Sequence, residues 1–305
     1  RRAARMRSRA GPRGPGGTRA RARPGDGIVQ GPLLLLLALG LFAALDANSK
    51  LLAGAYPVAQ VVLIRHLVLL ALLFGARALR PGLGGPLGTA HPRLHLLRAL
   101  AMLGSAVGFF QALREIPLAE GYLVYFTAPF MTLALAALVL GETLPRRVWL
   151  WSGVGFLGII VAMAPGLSAG GSLLAYLYAL FGTASYATVL TINRYLRDEP
   201  GIARLILWSS VPGALLLLPF AGSGWVAPGG LDLLALSVNG VFAGAATICL
   251  AAAFRRASVA QLAPLEFSAL LWAVLADFAI WGVLPALTTL VGAAIVILAC
   301  LMNHR

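Results

Sequence analysis

The stretch ALREIPLAEGYLVYFTAPF, Ala112 to Phe130, decides how this chain is built. It returns 141 residues later as AFRRASVAQLAPLEFSALL, Ala253 to Leu271. At that shift Ala112 lies over Ala253, Arg114 over Arg255, Ala119 over Ala260, Phe126 over Phe267, Ala128 over Ala269 and Gly141 over Gly282. Glu120 meets Gln261, and Thr127 meets Ser268. Outward from these two copies the chain is a series of apolar segments. A helix needs about 20 apolar residues to cross the hydrocarbon of a bilayer. Ten segments fit, near 31–48, 56–76, 95–113, 118–140, 146–165, 172–193, 204–221, 232–254, 258–280 and 283–302. Pro57, Pro117, Pro145 and the pairs Pro81-Gly82, Pro165-Gly166 and Pro200-Gly201 mark joints between them. Each half then holds five spans. Five is odd, so the second half must enter the membrane in the opposite sense to the first.

Composition narrows the class independently. The 305 residues are 60% hydrophobic and only 11% charged, where soluble domains carry about 45–50% apolar and about 25% charged residues. A soluble enzyme is excluded, since so few polar groups cannot cover its surface. A disordered chain is excluded by the same figures, and a disulfide scaffold by a content of two cysteines. Cys249 and Cys300 fall inside apolar runs and read as buried thiols. Long continuous runs, rather than alternating ones, indicate helices and not a barrel. The expected fold class is an all-α membrane protein of ten transmembrane helices.

The net charge is +14, yet nine of the 24 basic residues are arginines within positions 1–23. Residues 1–30 read as a disordered basic cytoplasmic tail, and nucleic acid is not expected as a partner. With both termini cytoplasmic, the inside loops beyond the tail hold 12 basic residues and the outside loops two, Lys50 and Arg114. That bias follows the rule that cytoplasmic loops collect Lys and Arg. The inverted copies agree, because Arg114-Glu115 is neutral and outside while Arg255-Arg256 is doubly positive and inside.

Several motifs carry a wider likeness. They are DANSKLLAGAYPVAQVVLIR (46–65), HLLRAL (95–100), FFQALREIPLAEG (109–121), GETLPRRVWLWSGVGFLGIIVAMAP (141–165) and LLWAVLADFAIWGVLPALTTLVGAAIVILACL (270–301). In order and spacing the chain resembles the ten-helix EamA-type transporters of the drug/metabolite transporter superfamily, in the branch of the riboflavin and S-adenosylmethionine transporters. The resemblance implies two inverted five-helix repeats, 31–165 and 172–302, around a central cavity. It also implies alternating access as the mechanism. Three positions depart from the pattern that the resemblance implies: Val283 follows Gly282 where the first copy has Gly141-Glu142, Glu266 stands in a stretch where that branch usually has uncharged polar residues and an aromatic, and Asp277 replaces what is commonly a small residue.

The expected function is secondary transport of a small polar or aromatic metabolite across the plasma (bacterial inner) membrane, coupled to protons or to exchange. The expected partners are a small-molecule substrate and the lipid bilayer, with one ten-helix chain able to close a cavity as a monomer. No cofactor or metal is expected. An intramembrane acyl- or lipid-transferring enzyme and a non-transporting scaffold are the alternatives. Neither a phosphate-binding G-x-x-x-x-G-K-[ST] loop nor H-E-x-x-H is present. Gly166 to Gly170 matches G-x-S-x-G only literally, since a hydrolase elbow needs a strand before it.

Ionisable residues inside a span are costly and mark pathways. Glu266 and Arg65 lie near mid-depth. Glu266 can carry a proton or face a cationic substrate; Arg65 can hold an anionic group, or pair with Glu266 or another acid. Glu120 and Gln261 are repeat mates near opposite mouths of the cavity. Tyr122, Tyr125 and Trp272 offer aromatic walls on which a flat substrate can stack. Asp46 and Lys50, four apart on one helix face, are expected to pair, and with Asn48 they form a possible outer gate. His66 reads as a packed residue. Gly104-x-x-x-Gly108 and Gly240-x-x-x-Gly244 permit close helix approach within the bundle.

Overall fold

The computed structural model describes residues 26–140, 145–168, 172–196, 199, 201–222, 224–257 and 259–304. The helices are α1 (Asp26–Leu52), α2 (Val58–Leu79), α3 (Pro92–Leu113), α4 (Leu118–Tyr125), α5 (Ala128–Leu140), α6 (Arg146–Ser168), α7 (Leu173–Tyr195), α8 (Ile202–Gly222), α9 (Gly230–Arg256), α10 (Val259–Glu266), α11 (Ser268–Ala276) and α12 (Leu287–His304). No strand occurs among the described residues. Among the described residues eight helical segments are long and apolar enough to cross a membrane, α4 and α5 counting together as one. Two shorter apolar stretches, Ser268–Trp281 and Leu287–Met302, complete the set.

Two boundaries differ from the sequence reading. Helix α1 begins at Asp26, inside what composition assigned to the tail; residues 1–25 lie outside the described residues. Helix α6 continues through Gly166 to Ser168, so the first part of the G-x-S-x-G look-alike is helix rather than loop. The Gly141-Glu142 pair lies outside the described residues.

The fourth and ninth apolar segments are each broken in mid-course. The first break falls at Phe126-Thr127, between α4 and α5. Pro129 has no N–H to offer the Tyr125 carbonyl, and Thr127 instead turns both its N–H and its hydroxyl back to Val124 O, at 3.0 and 2.7 Å. The second break falls at Phe267, between α10 and α11. Phe126 and Phe267 are the residues that the 141-residue shift superposes, and their rings meet edge to face with centroids 5.5 Å apart. Helix α11 ends in a single π-helical turn, Asp277–Trp281, which Gly282 closes at φ 66, a left-handed conformation that glycine adopts without strain.

The helices pack in exchanged pairs: α1 on α9, α3 on α7, α2 on α8 and α6 on α12. Small residues set these contacts. A Cβ on Gly108 would stand 2.8 Å from the Tyr178 carbonyl of α7, and one on Gly182 would stand 2.9 Å from the Phe109 nitrogen of α3. Gly240 of α9 lies as tightly against Val68 of α2, and Gly292 of α12 against the Gly158 carbonyl of α6. In lipid, where helices gain nothing from leaving water, such close approach supplies the dispersion contacts that hold a bundle.

One end of the bundle is fastened, among the described residues, by arginines around Glu199. Glu199, between α7 and α8, accepts from the Thr89 hydroxyl at 2.5 Å and the Ala90 N–H at 2.7 Å. His95 Nε2 lies 3.3 Å from it and the Arg204 guanidinium 3.5 Å. Arg98, buried, donates to Asn193 at 2.7 Å and Ser209 at 2.8 Å, joining α3, α7 and α8. The Thr89 hydroxyl, the Ala90 N–H, His95 and Arg204 together pull the Glu199 carboxyl from its ordinary 4.5 down to about 2. A carboxyl depressed on folding contributes its stability in full above the unfolded value and loses it as pH falls from about 4.5 toward 2. The melting temperature of the protein in detergent is therefore expected to drop across that window. Glu199→Gln should melt lower at neutral pH and show a shallower acid decline; an acid profile identical to that of the unaltered protein would remove Glu199 from the clasp.

Candidate functional site

Between the fastened ends, polar and aromatic side chains from α1, α2, α3, α4, α7 and α10 converge beside the two helix breaks. Asp46, half-buried on α1, accepts the Tyr122 hydroxyl of α4 at 2.7 Å. Arg65 of α2 lies within electrostatic reach of Asp46. Phe109, at the end of α3, meets Tyr122 at 5.8 Å and Tyr125 at 5.7 Å between ring centroids, both edge to face. Tyr125 stacks on Tyr186 of α7 at 4.7 Å and 32°. Glu266, the last residue of α10, retains exposed surface and lies within electrostatic reach of Tyr186 and Cys300.

The helix periodicity accounts for this face. Tyr122 and Tyr125 are three apart on α4 and so share one side. The turn after them ends α4 just where the carbonyl of Tyr125 loses its helical donor. On α7, Thr183, Tyr186 and Thr191 interrupt an apolar helix, although both threonine hydroxyls turn back to carbonyls of their own helix. A wall built this way combines π faces with a carboxylate, a chemistry suited to flat rings and to cations.

A second polar cluster closes the opposite end. Lys50 does not pair with Asp46, the partner expected four residues away on the same helix. It donates to the Ile116 carbonyl at 2.9 Å, stands 3.7 Å from Asp277 and sits 4.7 Å over the Trp281 ring. The physical reason is tertiary: Asp46 is occupied by Tyr122, while Asp277, 2% exposed, has its two oxygens on the first N–H groups of α4, Leu118 at 3.1 Å and Ala119 at 2.8 Å. A carboxylate there meets the positive end of a helix as well as a lysine. Glu120, in the first turn of α4, accepts a short hydrogen bond from the Tyr176 hydroxyl of α7.

The remaining candidates are placed elsewhere. Asn48 donates to the Ala235 carbonyl and to Asn239 Oδ1, both at 2.8 Å, and thereby staples α1 to α9. Gln261 is an exposed residue of α10. Trp272 lies on α11 against Gly40 of α1, lining an apolar groove of 430 Å³ with Ala43, Ala47 and Leu275, apart from the tyrosines. His66 is buried against Gly213 of α8, with neither ring nitrogen hydrogen-bonded. Arg65 lies within electrostatic reach of Asp46, and Glu266 is not among the groups acting on it.

Sequence reasoning singled out neither Tyr186 nor Tyr176. Both lie in the span that follows the middle of the chain, where LLAYLYALFGTASYATVLTINRY carries more hydroxyls than a lipid-facing helix requires. That density is the signal that points to a cavity face. No group of three or more potential metal ligands occurs among the described residues.

Comparison with known proteins agrees with this architecture. The model of the EamA-like transporter family matches the chain twice, over residues 29–164 and 173–304. The S-adenosylmethionine uptake transporter of Rickettsia felis is 28% identical over 272 residues, covering 87% of this chain and 89% of that protein. The riboflavin transporter of Rhizobium johnstonii is 27% identical over 283 residues, covering 91% of each. The pseudopaline exporter of Pseudomonas aeruginosa is 24% identical over 284 residues, covering 92% of this chain and 98% of the exporter. A solved crystal structure, 19% identical, shares the fold with a TM-score of 0.62 over 91% of this chain and 95% of that one. The chain belongs to the EamA-like transporter family and is an integral multi-pass membrane transporter rather than an enzyme.

Proposed function

We propose that this family member is a secondary transporter that carries a small metabolite across the plasma (bacterial inner) membrane by alternating access. In this reading ten helices form two inverted five-helix repeats, residues 31–165 and 172–302, with both termini in the cytoplasm and a single chain sufficient for function. The cycle is driven by protons or by exchange of one substrate for another. One observation carries the reading. The two broken helices meet at Phe126 and Phe267, and an aromatic and acidic cluster opens beside that meeting point. Inverted-repeat transporters place their substrate sites at this point, near the midplane beside discontinuous helices.

The packing supports a direction for the state shown. At the Lys50 end, α4 and α11 lie against each other and Lys50, Asp277 and Ile116 bind across the joint. Toward the arginine-rich end their continuations separate: α5 packs on α7, and α10 on α1. The outer mouth is closed in this state and the way in lies on the cytoplasmic side. Glu120 and Lys50 then belong to the closed mouth, and Asp46, Arg65, Tyr122, Tyr125 and Glu266 to the substrate path, with Gln261 toward its cytoplasmic end.

The names of the relatives bear on cargo. Those proteins move S-adenosylmethionine, riboflavin and pseudopaline, so the cargo class is a small metabolite. The test is counterflow with purified protein in proteoliposomes. Vesicles preloaded with one unlabelled metabolite, from a panel containing S-adenosylmethionine and riboflavin, should transiently accumulate its labelled form against a gradient. A protein that binds a panel member yet gives no counterflow is not a transporter of it.

A further inference from the structure

We infer that the bodies that move against each other in this transporter are not its two repeats. One body is a scaffold of α1, α2, α3, α7, α8 and α9, fastened across the repeats at both ends; α4–α6 and α10–α12 form the other. This inference rests on the transporter reading above and adds to it which parts move.

At the Lys50 end the scaffold is held by groups that part only at high cost. The Gln60 side chain, fully buried in the first turn of α2, exchanges two hydrogen bonds with the Val226 backbone before α9, at 2.7 and 3.0 Å. The Tyr56 hydroxyl donates to Asp232 of α9 at 2.6 Å. Asn239 of α9, also fully buried, accepts from Asn48 of α1 and donates to the Ser49 hydroxyl at 3.1 Å. At the arginine-rich end the loop between α2 and α3 lies along the start of α8. Its carbonyls at Gly84, Leu87 and Gly88 accept from the Ala203 N–H at 3.0 Å, the Trp208 indole at 3.0 Å and the Arg204 guanidinium at 2.5 Å. The Glu199 bonds to Thr89 and Ala90 lie beside them. Each of these bonds joins a residue of the first repeat to one of the second. A buried donor or acceptor parted from its partner keeps its full desolvation penalty. Between the two ends, α3 and α7 already touch backbone to backbone at Gly108 and Gly182. Rocking one repeat against the other would break both ends at once.

The second body has bonds of its own. The Gly158 carbonyl of α6 lies against Gly292 of α12, and Arg147 donates to the Met302 carbonyl at 2.6 Å. Asp277 ties the end of α11 to the start of α4 through the Leu118 and Ala119 amides. What crosses from the scaffold at the closed mouth is of a different kind. Lys50 stands 3.7 Å from Asp277 and donates to one carbonyl, Ile116. Its side chain is 18% exposed, so water can replace both partners. Asp277 keeps its two amide donors when Lys50 leaves. The Tyr176 hydroxyl also crosses, to Glu120. Tyr122 and Tyr125 of the second body face Asp46, Phe109 and Tyr186 of the scaffold. The candidate site therefore lies on the seam and changes shape as the bodies shift.

The test uses the full chain carrying Cys249→Ala and Cys300→Ala. Three cysteine pairs are added separately: Tyr56→Cys with Asp232→Cys, Thr89→Cys with Glu199→Cys, and Lys50→Cys with Trp281→Cys. Each is bridged by a short bifunctional thiol reagent. Counterflow in proteoliposomes is followed with a panel metabolite that the unbridged protein exchanges. Bridging either scaffold pair should leave counterflow within twofold of the same variant unbridged. Bridging Lys50→Cys to Trp281→Cys should lower it tenfold or more. A tenfold loss on bridging a scaffold pair, or no loss on bridging the mouth, overturns the inference. Spin labels at the exposed positions Leu79, Leu231 and Leu287 test it without transport. In nanodiscs, with and without panel metabolites, the Leu79–Leu231 distance lies within the scaffold and should stay single and narrow. The Leu79–Leu287 distance crosses the seam and should broaden or split. Equal widths overturn the inference, also where a cysteine pair is inactive before bridging. Distances that behave as expected in a protein without counterflow support the two bodies and overturn the transport reading alone.

Discussion

Replacing Asp46 by alanine is expected to abolish transport and to destabilise the protein by about 3 kcal/mol, because the buried Tyr122 hydroxyl loses its acceptor and Arg65 loses the carboxylate within its electrostatic reach. The Tyr122 hydroxyl has Asp46 as acceptor at 2.7 Å. A buried donor left without its acceptor keeps its full desolvation penalty. Asp46→Asn, which keeps an acceptor for Tyr122 and drops the charge, should recover most of the lost melting temperature. It should not recover transport, which needs the charge. Melting in detergent and uptake into proteoliposomes check the two halves separately. A single Asp46→Ala variant that melts like the unaltered protein would show that the Tyr122 hydroxyl is satisfied by some other group.

Asp277→Ala should have the second-largest effect, again about 3 kcal/mol, and it acts at the closed mouth. Three groups lose their acceptor at once: the N–H of Leu118, the N–H of Ala119 and the ammonium of Lys50. The first two are among the unpaired donors that every helix start must satisfy. Asp277→Asn keeps an acceptor for the amides while dropping the charge, so it should cost clearly less. The same change removes what holds Lys50 between Trp281 and Ile116. We therefore expect Asp277→Ala to raise access of water-soluble thiol reagents to a cysteine placed at Leu118. Unchanged labelling together with unchanged melting would reduce Asp277 to a bystander.

Two of the three departures from the family pattern that the sequence exposed, Glu266 and Asp277, occupy different positions in the molecule. Nothing in the spacing of Asp277 announces that it caps α4, which lies more than 150 residues away in the chain. The Asp46–Lys50 spacing, by contrast, announces a pair that is not made. An i, i+4 pair on an exposed helix is stabilised by only about 0.2–0.5 kcal/mol, too little to compete with a tyrosine hydroxyl and a helix start that tertiary packing brings to the same two side chains. Tyr186 went unread because the hydroxyl density of α7 marks the helix as a whole, while which of its four tyrosines meets a partner ring is set by the helices packed against it.

What the sequence determined by itself is whatever the solvent enforces. Lipid requires long apolar helices with their backbone groups satisfied internally, so composition and run length specify the all-helical membrane class and the places where the chain turns. A proline at 129 that withholds its N–H writes the α4–α5 break locally; the matching position of the second copy is Leu270, so the α10–α11 break is not written in the same way. Only the tertiary structure decided which charges meet, because each polar group in a dry interior takes the strongest partner that packing delivers, and that choice depends on helices far apart in the chain. Asp46 with Tyr122, Lys50 with Asp277 and Tyr125 with Tyr186 are settled by which helix faces which, and the glycines at 108, 182, 240 and 292 settle that by how closely the backbones approach.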